Sequence, residues 1–323
     1  MEVQTVALYG AGLIGSGWAT HLVCCGRRGV WVYDPDEGQL KKARERVRSS
    51  LDFLVSEGMM EPDLAREGLE SLRFTTDRQA ALRDADLIQE NGPELLELKR
   101  SILADIEADC RPDAIICTST SGIMVREIAR DAIHPQRVVG AHPYHPVYLL
   151  PLVEMIRGDQ TDEACLQAAY AFYKSIRKEP VILKKESPGY IASHLMSALF
   201  RECVNLISQG VGTMEDIDTA FCYGPGLRYA LMGPCTVLQL AGGEHGIAGT
   251  LFGGIGTSGG NWLESFANWT VYPPETQPFF QTCQEEMNRA LSHRDALHGR
   301  TNQEIELFRD RGLVKLLRHH GKL

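Results

Sequence analysis

The sequence predicts an α/β domain followed by an all-helical domain. Three observations lead to this fold class. Near the start of the chain, a glycine-rich turn stands between an apolar β-prone run and an amphipathic helical segment. Short apolar strands then alternate with helical segments as far as residue 186. Beyond that point, helical periodicity alternates with Gly/Pro loops and no convincing strand follows.

The glycine-rich turn predicts a dinucleotide-binding (Rossmann) domain. It follows a strand at residues 3–9 and consists of Gly10, Ala11, Gly12, Leu13, Ile14 and Gly15. Gly10 permits a tight turn, Gly12 allows a pyrophosphate to approach the backbone, and Gly15 allows close packing of helix and strand. The helix N-terminus, at Leu13 and Ile14, offers free N–H groups to the phosphates. The alternative is an ordinary α/β turn that binds no nucleotide.

Asp34 indicates which dinucleotide is bound. It closes the second strand, residues 30–33, about 20 residues after the glycine turn. A carboxylate at this place accepts hydrogen bonds from ribose hydroxyls and repels a 2′-phosphate. Pro35, Asp36 and Glu37 come next, so no arginine follows to bind such a phosphate. The expected cofactor is therefore NAD and not NADP.

Composition and charge exclude several classes of protein. The chain has 323 residues, enough for about two domains, and its hydrophobic (44%) and charged (23%) fractions are typical of a globular protein. A net charge of −9 disfavours nucleic acid or an anionic membrane as a partner. The nine cysteines include no C-x-x-C pair, which favours a reduced, cytoplasmic protein without a metal site. No apolar run is long enough to span a bilayer.

Strands and helices alternate through the first domain, which we expect to cover residues 1–186. The strands are predicted at residues 3–9, 30–33, 72–75, 85–90, 114–117, 137–141, 152–156 and 180–183. The helices are predicted at residues 14–25, 36–56, 62–72, 78–82, 94–110 and 162–176. Ligands of open α/β sheets bind at the carboxyl ends of the strands. The polar residues expected there are Glu90, Asn91, Ser119, Ser121 and His142.

Residues 187–323 are expected to form a helical domain for substrate binding and dimerisation. A long helix is predicted at residues 190–209, and Thr213 and Asp216 are spaced as a capping box for the next helix. The long helix carries an apolar stripe of Ile191, Leu195, Ala198, Leu199, Val204 and Ile207. We expect this stripe to contribute to a homodimer. The alternative is that it is the core of the domain itself.

The candidate catalytic residues are His142, Glu154 and Ser121. His142 follows one strand and Glu154 lies on the next. A histidine that removes a proton from an alcohol needs a partner that fixes its tautomer, and Glu154 is the candidate partner. Ser121 is the candidate donor to the substrate oxygen. Beside a nucleotide fold, this combination predicts hydride transfer between a secondary alcohol and a nicotinamide; the alternative is that His142 is an ordinary polar residue.

Together these motifs resemble the L-3-hydroxyacyl-CoA dehydrogenase superfamily, and the resemblance covers nearly the whole chain. It rests on the glycine turn with Asp34, residues 89–94 followed by Lys99, the serine-rich turn of residues 119–122, His142 with Glu154, and Pro188-Gly189. The resemblance implies that His142 and Glu154 are the catalytic pair. It also implies that Glu94 and Lys99 lie near the cofactor. A helical C-terminal domain that forms a dimer is implied as well.

Part of the second domain resembles the branch of the superfamily that acts on free hydroxy acids. This part includes residues 226–234, where Arg228 stands in a Leu-Arg-Tyr sequence. In that branch the arginine is the candidate ligand of the substrate carboxylate, since a guanidinium makes two charge-assisted hydrogen bonds at once. Two expected substrate contacts depart from the superfamily, because His145 replaces Asn and Ser193 replaces Asn or Asp. His145 either contacts the substrate or packs away from it.

The sequence therefore predicts NAD-dependent oxidation of a small free L-3-hydroxy carboxylic acid, carnitine-like or gulonate-like, to the 3-keto acid. One alternative substrate is 3-hydroxybutyryl-CoA. The mixed charges of the helix at residues 36–56 are a poor match for the phosphates of coenzyme A. The non-enzyme alternative is a crystallin-like structural protein that binds NAD, and the intact His142–Glu154 pair favours the enzyme.

Overall fold

The computed structural model describes residues 3–27, 29–249, 265–268, 270 and 276–322. The chain divides into two compact units, Met1–Ser193 and His194–Leu323. The first unit has the predicted alternation of strands and helices, and every regular element described in the second unit is a helix. The predicted fold class is thus confirmed. The expected domain boundary after residue 186 lies close to the division between the units and stays a prediction.

A single sheet of eight strands forms the centre of the first unit. The strands are β1 (Thr5–Tyr9), β2 (Gly29–Tyr33), β3 (Arg73–Thr75), β4 (Leu87–Glu90), β5 (Ile115–Thr118), β6 (Val138–Pro143), β7 (Leu152–Arg157) and β8 (Glu179–Ile182). Their order is β3-β2-β1-β4-β5-β6-β7-β8, and every neighbouring pair is parallel except β6 and β7. All eight strands predicted from the sequence are present.

Helices connect most of these strands and cover the sheet. They are α1 (Leu13–Cys24), α2 (Glu37–Ser56), α3 (Pro62–Ser71), α4 (Arg78–Leu82), α5 (Leu96–Asp109), α6 (Val125–Ile128) and α7 (Glu163–Ser175). Asp36 caps the first turn of α2 by accepting a hydrogen bond from the N–H of Gly38 (2.7 Å). The apolar side chains that recur along α2 at helical spacing are all buried: Leu40, Ala43, Val47, Leu51 and Leu54. The sequence did not predict α6, because a single turn is too short to show helical periodicity.

The regular elements described in the second unit are helices. They are α8 (Ala192–Ser208), which begins at the end of the first unit, α9 (Met214–Cys222), α10 (Pro225–Leu231), α11 (Pro234–Ala241), α12 (Gly246–Gly249), α13 (Thr276–His293) and α14 (Asn302–His319). The predicted capping box is present, because Thr213 and Asp216 exchange side-chain-to-backbone hydrogen bonds at the start of α9. Among the described residues, no helix is long and apolar enough to cross a membrane.

Lys178 is a fully buried lysine just before β8, with 1% of its surface exposed. Its ammonium group donates hydrogen bonds to the carbonyl oxygens of Val147 and Leu150, and it lies 5.0 Å from the centre of the Trp18 ring. The chain that follows His142 is thereby held against the sheet. Burial lowers the pKa of Lys178 to about 7.

We expect Lys178 to make stability depend on pH. In an unfolded chain the lysine pKa is about 10.4, so above about pH 7 the unfolded state binds a proton that the folded state has lost. Raising the pH in this window therefore stabilises the folded protein. The free energy of unfolding, measured by denaturant between about pH 7 and about pH 9, should rise less in Lys178→Met than in the wild type. Lys174→Met, at an exposed lysine, is the control. If the free energy of unfolding rises equally with pH in all three proteins, the pKa of Lys178 is not lowered in the folded state.

Candidate active site

The antiparallel pairing of β6 with β7 places His142 directly opposite Glu154. Paired residues of neighbouring strands project to the same face with their Cβ atoms about 5 Å apart. The Nδ1 atom of His142 lies 3.2 Å from Oε2 of Glu154, and both side chains are buried. A carboxylate only accepts hydrogen bonds, so Nδ1 carries a proton, and Nε2 is an acceptor whenever the ring has no second proton.

The second carboxylate oxygen of Glu154 accepts two backbone hydrogen bonds. The N–H groups of Ile191 and Ala192, at the start of α8, each donate to Oε1 at 2.9 Å. Burial alone would raise the pKa of Glu154, but the hydrogen bonds from His142 and from these two N–H groups outweigh burial and lower it. Glu154 is therefore ionised at neutral pH.

Two tyrosine rings fix the plane of the His142 ring. Tyr144 meets it edge to face at 5.0 Å between centres, and Tyr190 lies at 5.4 Å. The hydroxyl of Tyr144 is within hydrogen-bond distance (3.0 Å) of the hydroxyl of Ser193. Tyr190 is buried and has a left-handed backbone conformation (φ 49°). Burial raises the pKa of its hydroxyl most, and the negative charges of Glu94, Glu186 and Glu154 raise it further. Sequence reasoning missed Tyr190, because only its packing against His142 reveals it.

The serine-rich turn after β5 is bound to Glu94. One oxygen of this carboxylate accepts the N–H of Ser121 (2.9 Å) together with three other donors of the turn. Lys99 is 1% exposed, and its ammonium group pairs with Glu90 at 2.9 Å. Asn91 and Ser119, the other polar residues expected at this edge, are joined by a hydrogen bond of 2.8 Å.

The glycine turn fits a bound dinucleotide. Gly10 has a left-handed φ of 96°, and a Cβ on Gly15 would lie 1.9 Å from the carbonyl oxygen of Gly10. A Cβ on Gly12 would meet no atom within 4 Å, so the backbone there borders open space, and the first helical residue, Leu13, is also exposed. The Asp34 carboxylate accepts the N–H groups of Ala11 (2.9 Å) and Asp36 (3.0 Å), which hold it beside the turn. Space for a pyrophosphate and a fixed acceptor for ribose are thus both present.

His145 is exposed in the loop after β6, and Arg228 is exposed on α10 in the second unit. The roles of these two residues, and of Ser121, Glu94, Lys99 and Ser193, stay predictions. Among the described residues, no group of three or more His, Cys, Asp or Glu side chains is arranged to hold a metal ion.

Comparison with known proteins identifies the family. The model of the NAD-binding domain of 3-hydroxyacyl-CoA dehydrogenase matches residues 5–187, and the model of its C-terminal domain matches residues 189–277. The chain belongs to the 3-hydroxyacyl-CoA dehydrogenase family. As a member of this family it is an NAD-dependent oxidoreductase, so the predicted cofactor and reaction type are confirmed.

Two relatives illustrate how much of this chain is matched by known proteins of the family. The L-carnitine dehydrogenase of Bacillus cereus is 41% identical over 246 residues, or 76% of this chain and 74% of the relative. The L-carnitine dehydrogenase of a Pseudomonas species is 40% identical over 321 residues, or 99% of this chain and 95% of the relative. Among solved structures, the NAD-dependent 5-formyl-3-hydroxy-2-methylpyridine 4-carboxylic acid 5-dehydrogenase has a TM-score of 0.79 at 26% identity, covering 99% of this chain and 98% of that one.

The two glycines at the start of α1 should respond differently to alanine. Gly12→Ala should leave the melting temperature nearly unchanged, because its methyl group meets no protein atom, but it should weaken NAD binding by occupying the space for the pyrophosphate. Gly15→Ala should lower the melting temperature sharply, because its methyl group overlaps the Gly10 carbonyl. Thermal unfolding and a fluorescence titration with NAD measure both effects. Full NAD affinity in a folded Gly12→Ala protein would contradict the position assigned to the pyrophosphate.

Proposed function

We propose that the protein oxidises the 3-hydroxyl group of a small free L-3-hydroxy acid, with L-carnitine as the first candidate. The observation that carries the reaction is the buried pair of His142 and ionised Glu154 at the nucleotide-binding edge of the sheet. The choice of substrate is supported by relatives named L-carnitine dehydrogenase, which match up to the full length of the chain at 34% to 41% identity.

His142 acts as the general base in this proposal. Its Nε2 atom accepts the proton of the substrate hydroxyl as the carbon–hydrogen bond breaks, and the ring becomes an imidazolium. Glu154 stabilises that positive charge, because its ionised carboxylate lies 3.2 Å from Nδ1. Ser121 donates a hydrogen bond to the reacting oxygen. Bound NAD supplies the acceptor for the hydride.

The acidic end of the substrate is assigned to Arg228. A guanidinium pairs with a free carboxylate through two hydrogen bonds, whereas the thioester of an acyl-CoA offers no charge at that place. The free acid is therefore favoured over 3-hydroxybutyryl-CoA. Ser193 and His145 are the further proposed substrate contacts, and the hydroxyl of Ser193 lies beside Tyr144, close to the ring of His142.

We also propose that the enzyme is a cytoplasmic homodimer. The first turns of α8 expose apolar side chains, among them Leu195 (58%) and Leu199 (43%), while Val204 and Ile207 near its end are buried. Exposed apolar surface of this kind is typical of an interface between subunits. Light scattering should give twice the mass of one chain, and a fully active monomer would contradict the dimer.

Replacing the two members of the catalytic pair should affect kcat unequally. General base catalysis contributes about 10²–10⁴-fold, so His142→Gln should lower kcat by at least about 10²-fold with NAD affinity near that of the wild type. Glu154→Gln should lower it less, because the imidazole remains but loses its charged partner. The exposed His319→Gln is the control. If His142→Gln keeps most of the activity and His145→Gln loses it, the base is His145.

A panel of substrates tests the proposed class. NADH formation should be fastest with L-carnitine among L-carnitine, L-gulonate, 3-hydroxybutyrate and 3-hydroxybutyryl-CoA. Arg228→Met should raise KM for the acid about tenfold or more, because one bidentate ion pair is lost. Arg83→Met, at an exposed arginine of the first unit, is the control. Efficient oxidation of 3-hydroxybutyryl-CoA that does not change in Arg228→Met would overturn the proposal.

A further inference from the structure

We propose that Glu94 is a positioning residue for Ser121: it folds the turn of residues 120–123 so that the Ser121 hydroxyl faces the reacting oxygen. The proposal rests on the function proposed above, because it assumes the role given there to Ser121. It assigns Glu94 a task other than contact with the cofactor.

The strongest observation is that four donors of one turn converge on a single oxygen atom. Oε1 of Glu94 accepts the hydroxyl of Thr120 (2.7 Å) and the N–H groups of Ser121 (2.9 Å), Gly122 (2.8 Å) and Ile123 (3.2 Å). Successive N–H groups that point inward form a nest for an anion. Here the anion comes from the protein itself, and a carboxylate oxygen with two lone pairs has no capacity left for another donor.

The other carboxylate oxygen of Glu94 lies next to Lys99, which forms a buried ion pair with Glu90. Oε2 lies 3.6 Å from the ammonium group of Lys99, which also binds Glu90 (2.9 Å) and the carbonyl oxygen of Gly92 (3.3 Å). Glu90 in turn accepts the hydroxyl of Thr118 at 2.5 Å. A continuous chain of contacts therefore runs from the ends of β4 and β5 to the serine-rich turn.

These contacts keep Glu94 charged. Burial alone would raise its pKa, but the hydrogen bonds from Thr120 and Gly122, the positive charge of Lys99 and the hydrogen bond from Ile123 outweigh burial and lower it. Charge-assisted hydrogen bonds are about twice as strong as neutral ones, so an ionised Glu94 holds the turn more firmly than a neutral side chain would.

The serine-rich turn lies beside His142 because the strands that precede them are neighbours. Thr118 pairs with Gly140 across β5 and β6, so the turn after β5 and His142 near the end of β6 lie at the same edge of the sheet. Tyr190 packs against His142, and the negative charges of Glu94 and Glu154 both contribute to raising its pKa. Because a displacement of about 1 Å at a reacting group can lower the rate about 10²-fold, the shape of this turn matters for catalysis.

The test combines Glu94→Ala, Glu94→Gln and Ser121→Ala, with Glu94→Ala/Ser121→Ala as the double variant. With saturating NAD and L-carnitine, Glu94→Ala should lower kcat about tenfold or more. Glu94→Gln should lose less, because its amide oxygen still accepts hydrogen bonds. The double variant should be no slower than Ser121→Ala alone, since Glu94 acts through Ser121. Glu97→Gln, three residues on and exposed, is the matched control.

Two results would overturn the positioning role. One is a double variant whose kcat loss is the product of the two single losses. The other is a Glu94→Ala protein with unchanged kcat and a raised Kd for NAD, which would make Glu94 a cofactor ligand.

Hydrogen exchange tests the same idea without any substrate. The amides of Ser121, Gly122 and Ile123 should exchange about tenfold faster or more in Glu94→Ala, and unchanged exchange would contradict the proposal. If L-carnitine is not oxidised at all, or Ser121→Ala is fully active, the proposed function fails. The exchange rates then still decide whether Glu94 folds the turn.

Discussion

The site depends on the hydrogen bonds that the carboxylate of Glu154 accepts. One oxygen accepts a hydrogen bond from His142 and the other accepts two from the backbone N–H groups of Ile191 and Ala192, so a single side chain joins the proposed catalytic histidine to the start of α8. The strand register makes this possible, because His142 and Glu154 are opposed across β6 and β7. A slip of one residue would turn one of the two side chains to the other face of the sheet.

Other proposed site residues lie at the same edge of the sheet, at the carboxyl ends of the parallel strands. The glycine turn follows β1, Asp34 follows β2, Glu90 ends β4, and the serine-rich turn follows β5. Parallel strands all end at one edge, so residues far apart in sequence meet there without long connections. Because β7 runs antiparallel to β6, it begins at this edge, and Glu154 near its start lies opposite His142. The residues proposed for cofactor binding and those proposed for acid–base catalysis therefore lie at one edge of the sheet.

Periodicity and turn chemistry predicted the eight strands and most helices of the first domain. The eight strands, the buried stripe of α2 and the Thr213–Asp216 capping box each depend on neighbours in sequence, which is why local patterns reveal them. The packing of Tyr190 on His142 and the nest around Glu94 join segments that are distant in sequence. Such contacts join a side chain to a ring or a backbone group of a distant segment, and no residue spacing in the sequence predicts them. The resemblance to a family placed Glu94 near the cofactor, but only the geometry shows what its oxygen atoms bind.

The tautomer of His142 tests the account most directly. A ¹⁵N-detected NMR spectrum of the imidazole nitrogens, assigned by comparison with His142→Gln, reports which nitrogen carries the proton. We predict that a ring with a single proton carries it on Nδ1 and leaves Nε2 unprotonated, because the ionised Glu154 only accepts hydrogen bonds. The same tautomer should be lost or mixed in Glu154→Gln, where the partner is a neutral amide. A singly protonated ring with its proton on Nε2 in the wild-type protein would leave no acceptor facing the substrate and would contradict this role of His142.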